Sequence, residues 1–154
     1  MRILRLYTET STFGGMYDEE YAKESKWFFN MATRGRFQLV VSKQVVDEIT
    51  PAPDRVKAFY TTTLPSLEYL DASPEVKKLA DLYIARKVLT EKYRSDATHI
   101  AYATIYKCDG IVSWNFNHMV DLDRSIRYNM INAENGYTQL FLSSPREVEK
   151  HENA

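Results

Sequence analysis

The chain has 154 residues, 44% hydrophobic and 27% charged, with 20 Lys+Arg against 21 Asp+Glu for a formal charge of −1. That length favours a single domain over 1–154 with a core able to stand without staples, and the composition excludes disordered, collagen-like and linker chains. The near-neutral balance excludes nucleic-acid binding by bulk positive charge, so any nucleic acid must be held by a local patch or through a metal ion.

Ile3, Leu4, Leu6 and Tyr7, interrupted by Arg5, read as a first short strand. Thr8 to Asp18 reads as a loop broken by Gly14-Gly15. From Glu19 to Thr33, Tyr21, Ala22, Trp27, Phe28, Met31 and Ala32 fall mostly on one helical face, and Gly35 closes the segment. Phe37 to Val41 is almost continuously apolar, as suits a strand buried on both faces. Ser42 is placed to cap a short helix from Lys43 to Thr50, which stops before Pro51. Pro53 opens another helix to about Thr63, and Leu67 to Leu70 reads as a short strand. Ser73-Pro74-Glu75 starts a helix running to about Val88, with a capping hydroxyl, a proline at the first position and an acid in the first turn.

Ser95 or Asp96 begins the next helix, whose Ala97, Ile100, Ala101, Thr104 and Ile105 give a small-residue face for packing on a sheet. Gly110 to Trp114 is a compact strand, Asn115 to Asp123 a loop or short helix, and Tyr128 to Ile131 a further strand. Leu140 to Leu142 reads as the last strand, and Ser144-Pro145-Arg146-Glu147 repeats the helix-start signature. Strands alternating with helices predict βαβ units, a mainly parallel sheet covered on both faces, and a ligand crevice beyond the carboxyl ends of the strands. The positions to search are those just after Tyr7, Val41 and Trp114.

Several chemistries are excluded. No glycine-rich dinucleotide or P-loop pattern is present, no GxSxG elbow, and the three histidines, His99, His118 and His151, lack close zinc spacing. The lone Cys108 excludes an intrachain disulfide and a cysteine zinc cage, and fits a reducing, cytoplasmic setting. No apolar run exceeds four residues, whereas a membrane span needs roughly 20.

The remaining candidates are oxygen-bearing side chains. Glu9 follows the first strand, Glu48 lies on the helix after the second, Asp96 starts the helix leading into the Gly110 strand, and Asn115 follows that strand. In a parallel sheet all four belong to the carboxyl edge. Three crowded carboxylates repel and raise one another's pKa, a penalty that a divalent cation removes. Hard oxygen donors suit Mg²⁺ or Mn²⁺, which polarises a phosphoryl oxygen and activates water at neutral pH. Taken singly, each has a plainer reading: a solvated helix acid for Glu48, a dipole-favoured acid for Asp96, a loop residue for Glu9 and a turn former for Asn115.

Tyr7-Thr8-Glu9-Thr10-Ser11, Ser42 to Glu48 (SKQVVDE), Ser95 to Ala103 (SDATHIAYA) and Cys108 to His118 (CDGIVSWNFNH), in this order and spacing, resemble the PIN domain family, which includes the VapC-like toxin ribonucleases. The likeness runs across nearly the whole chain. It implies a three-layer α/β/α sandwich with a mainly parallel sheet and a metal-dependent endoribonuclease site. It also implies Mg²⁺ or Mn²⁺ as cofactor, RNA as substrate, homodimers, and an antitoxin partner for those relatives that are toxins. By position, Glu9, Glu48 and Asp96 correspond to the family's first three acids, and Asn115 falls where a fourth commonly sits. These four are the expected catalytic and metal-binding residues. Glu9 is one methylene longer than the usual Asp, and Asn115 brings a carbonyl but no charge, which leaves a non-catalytic PIN-like module that binds RNA or a protein as the alternative. Thr10, Ser11, Asn117 and His118 are expected around the metal or the substrate. His99, one turn after Asp96, is placed either to orient it or simply to pack.

Overall fold

The computed structural model describes residues 2–153. Five strands, β1 (Leu4–Thr8), β2 (Phe37–Ser42), β3 (Glu68–Leu70), β4 (Gly110–Val112) and β5 (Phe141–Ser143), form one sheet in the order β3-β2-β1-β4-β5, and every pairing is parallel. The described residues contain eight α-helices: α1 (Thr10–Gly15), α2 (Ala22–Thr33), α3 (Lys43–Ile49), α4 (Asp54–Thr63), α5 (Pro74–Ala85), α6 (Arg94–Ile105), α7 (Leu122–Glu134) and α8 (Pro145–Glu152). None is long and apolar enough to cross a membrane.

Strand alternation sorts the helices onto two faces. Leu4 pairs with Phe37, whose ring meets Phe28 and Trp27 of α2 at 5.7 and 6.4 Å between centroids. Tyr7, three residues beyond Leu4 and so pointing the other way, meets His99 and Tyr102 of α6 at 5.6 and 6.5 Å. With α2 packed on α8 and α5 on α6, the sheet is covered on both sides. This is the α/β/α sandwich expected from the alternating elements. β2 is buried along most of its length, matching its nearly unbroken apolar character, and β1 is buried over its last three residues.

The serine caps fall where the sequence places them. Ser42, Ser73 and Ser144 each accept the backbone N–H three residues on, from Val45, Val76 and Glu147, at 3.4, 3.3 and 3.2 Å.

Four expectations need correction. The Thr8–Asp18 loop contains a helix, α1, because the Glu9 side chain caps it. The helix expected to reach Val88 ends at Ala85: Lys87 turns the chain with φ +63°, which drives Val88 and Leu89 into the core. The strand expected to reach Trp114 ends at Val112, since the Trp114 N–H leaves the sheet for Ser11 Oγ at 2.9 Å. The strand expected over Tyr128–Ile131 is part of helix α7. There Ile126, Tyr128 and Met130 imitate strand alternation, but Tyr128 and Ile131 are the buried pair while Ile126 and Met130 are 52% and 56% exposed. Asp121 caps that helix through the Arg124 N–H at 3.0 Å.

Candidate metal centre

The carboxyl ends of β1, β2 and β4 converge. β1 passes directly into Glu9, whose backbone N–H bonds to Val112 O of β4 at 3.1 Å. Glu9 is the N-cap of α1, with φ −72° and ψ 153°, and its carboxylate accepts the Ser11 N–H at 3.1 Å. Glutamate is not a preferred cap. Here the same carboxylate also accepts Ser11 Oγ–H and Ser113 Oγ–H, each at 2.6 Å, so one side chain ties α1 to the end of β4. Glu9 is only 6% exposed, and no Lys or Arg pairs with it among the described residues.

Glu48 approaches from α3, whose start is fixed by the Ser42 cap. Its carboxylate accepts Thr10 Oγ1–H at 2.5 Å and Gln44 Nε2–H at 2.8 Å, one helical turn back. The third bond, 2.8 Å, joins Glu48 Oε1 to His99 Nε2 of α6. His99 has no exposed surface, and its Nδ1 lies 2.6 Å from the Tyr7 hydroxyl, itself 2.7 Å from Ser42 Oγ. One donor atom each from Glu9, Glu48 and His99 lies within 4.8 Å of the others.

These contacts set the electrostatics. Burial works to raise the Glu48 carboxyl, but the hydrogen bond and charge of His99, with help from Thr10 and Gln44, bring it below its ordinary value. Burial works to lower the His99 imidazole, but the Glu48 bond and the charges of Glu9, Glu48 and Asp96 raise it. Desolvation pushes the Tyr7 phenol well up, so it acts only as a neutral donor and acceptor.

Asp96 stands outside the trio. It sits one turn before His99 on α6, and its Oδ2 is 2.8 Å from His118 Nδ1. The His118 ring lies against Tyr93, 3.9 Å between centroids, and its backbone N–H donates to Asn115 Oδ1 at 2.9 Å. Asn117 is exposed. The sequence reading lets His99 orient Asp96; the structure gives His99 to Glu48, and His118 takes Asp96. Sequence reasoning missed Tyr7, Ser42 and Gln44 as supporting groups. Of these only Gln44 carried a signal, its four-residue spacing from Glu48.

The donor set fits a divalent cation. Two carboxylates and an imidazole converge, Ser11, Ser113 and Thr10 hydroxyls orient the carboxylates, and among the described residues no guanidinium pairs with them, so these side chains could hold a small ion.

No family model matches the sequence, and no curated protein matches it. Solved structures do match in fold. Over 74% of this chain and 90% of the other, the VapBC2 structure from Rickettsia felis bound to a promoter DNA fragment superposes with a TM-score of 0.56 at 12% identity. VapC20 of Mycobacterium tuberculosis, a sarcin–ricin-loop-cleaving toxin, superposes with a TM-score of 0.58 at 14% identity over 87% of this chain and 97% of that one. The chain therefore has the PIN-type α/β fold found in VapC toxin structures.

Proposed function

We propose that this protein is a divalent-metal-dependent endoribonuclease that hydrolyses RNA phosphodiester bonds and serves as the toxin of a toxin–antitoxin pair. The observation that carries this reading is the meeting of Glu9, Glu48 and His99 at the carboxyl edge of a sheet whose fold matches VapC toxins. Mg²⁺ or Mn²⁺ bound there would neutralise the carboxylates, polarise the phosphodiester and activate water for in-line attack. Such an ion also accounts for how a chain of net charge −1 holds a polyanion.

The chain's own residues position the reaction. Ser11 and Ser113 hold Glu9, while Thr10 and Gln44 hold Glu48, so both carboxylates are oriented before substrate arrives. Asp96 and Asn115, both bonded to His118, are the further oxygen-bearing residues of the proposed site. Asp96 orients His118 through Nδ1, which leaves Nε2 to meet a phosphate oxygen or hand a proton to the leaving group. Asn117, exposed on the same loop, completes the substrate side. The VapBC2 likeness supports an antitoxin partner, and a homodimer is the proposed assembly.

The test is cleavage of a panel of single-stranded and structured RNAs with Mg²⁺ or Mn²⁺. Cutting should stop with chelator, and Asp96→Asn should abolish it without lowering the melting temperature. Cleavage that survives Asp96→Asn would remove that residue from the site. The bonding of Asp96 to His118, away from the trio, favours a second reading as a non-catalytic RNA- or protein-binding module. Absence of both cutting and saturable Mn²⁺ binding would select it.

A further inference from the structure

We propose that His99 is itself a ligand of the bound ion through Nε2, making the centre a two-glutamate, one-histidine site that favours Mn²⁺, Co²⁺ and Zn²⁺ over Mg²⁺. This rests on the metal-site reading above and goes beyond the all-oxygen set that the sequence suggests. The position beside Glu9 and Glu48 that a third acid would fill is taken by the imidazole, while Asp96 is engaged by His118.

The surroundings of the ring suit ligation. A metal-bound histidine is normally held by a hydrogen bond at its other nitrogen, which fixes tautomer and orientation. His99 Nδ1 has such a bond, to the Tyr7 hydroxyl, and Tyr7 continues to Ser42 Oγ. Both hydroxyls can turn. With no ion, the neutral ring can accept at Nδ1 from Tyr7, which in turn accepts from Ser42, while Nε2–H donates to Glu48. With an ion, the polarity reverses: Nδ1–H donates to Tyr7, Tyr7 donates to Ser42, and the Nε2 lone pair is free. The neutral ring carries one proton in both arrangements, on Nε2 in the first and Nδ1 in the second. Ring and phenol keep partners throughout, so a fully buried His99 changes role without moving. Imidazole nitrogen suits transition ions, whereas Mg²⁺ prefers an all-oxygen, largely hydrated shell.

The experiment uses the metal-free full chain and two readouts. Zn²⁺ is titrated into protein with ¹⁵N-labelled histidines, and Mn²⁺ and Mg²⁺ binding are measured by calorimetry for wild type and His99→Gln. The His99 Nε2 resonance should move to a metal-bound position at one equivalent of Zn²⁺, with His118 and His151 unaffected. His99→Gln should weaken Mn²⁺ at least about 100-fold and Mg²⁺ by less than about 10-fold. Equal losses for both ions, an Nε2 that stays protonated in the loaded protein, or no Zn²⁺ response at any histidine would overturn the proposal. Should His99→Gln fail to fold, the wild-type resonances decide alone. A protein that cuts RNA while Nε2 stays protonated keeps the nuclease and loses the ligand; one that ligates through Nε2 yet cuts no RNA does the reverse.

Discussion

The two ends of β1 treat their acids in opposite ways. At the amino end, the Arg5 guanidinium grips Glu68 through bonds of 3.0 and 2.6 Å, and Asp109 takes Arg2 at 2.6 Å and the Arg5 N–H at 2.8 Å. At the carboxyl end, Glu9 and Glu48 are held by hydroxyls, an amide, one backbone N–H and one imidazole, with no guanidinium among the described residues. Four residues along one strand separate an arginine-paired arrangement from one that leaves room for a cation. Buried carboxylates lacking a fixed positive partner are expensive unless something else neutralises them. The contrast is between amino-end acids that tie strands together and carboxyl-end acids whose setting suits the proposed ion.

The largest break in that comparison comes from Glu48→Gln. It keeps the shape of the side chain but removes a charge from the trio, and RNA cleavage should fall at least about 100-fold in an initial-rate assay. Next is Gly15→Ala. A Cβ there would sit 2.6 Å from both Ser25 Oγ and Trp114 Nε1, atoms that bond each other at 2.9 Å. Chemical denaturation should show a loss of about 1–3 kcal/mol, with altered tryptophan emission. Gly14→Ala, which meets nothing within 4 Å, is the matched control and should be neutral or slightly stabilising.

Glu68→Gln at the amino end should leave cleavage unchanged. Because its pair with Arg5 is partly exposed, stability should drop by only about 1 kcal/mol. The smallest effect concerns Glu24, which the Arg146 hydrogen bond holds below its ordinary value of 4.5. A carboxyl lowered on folding stabilises above its unfolded value and loses that contribution as pH falls through the folded one. The stability gap between wild type and Glu24→Gln, under about 1 kcal/mol, should therefore be full at pH 7 and vanish in acid, read from melts across pH.

Much of this was legible in the sequence because local rules and the sheet rule agreed. The Ser42, Ser73 and Ser144 caps, the apolar run of β2 and the short apolar pattern around Arg5 in β1 marked the frame, and parallel strands then put Glu9 and Glu48 at one edge. What escaped was long-range or two-sided. In α7, Ile126 and Met130 face solvent, so residues 126–130 alternate like a strand. His99 looked local to Asp96 at three residues' spacing, but its partner Glu48 is 51 residues away. Tyr7 read as an ordinary strand residue, since nothing in a strand pattern tells where a buried hydroxyl will find its bond.

On the proposed reading, the carboxyl-edge acids hold a divalent cation. Calorimetric titration of the metal-free protein with Mn²⁺, run beside Glu48→Gln, tests it most directly. Wild type should show one saturable site per chain, and the variant should bind at least about 100-fold more weakly. No saturable heat in wild type, or the same affinity in both proteins, would contradict it.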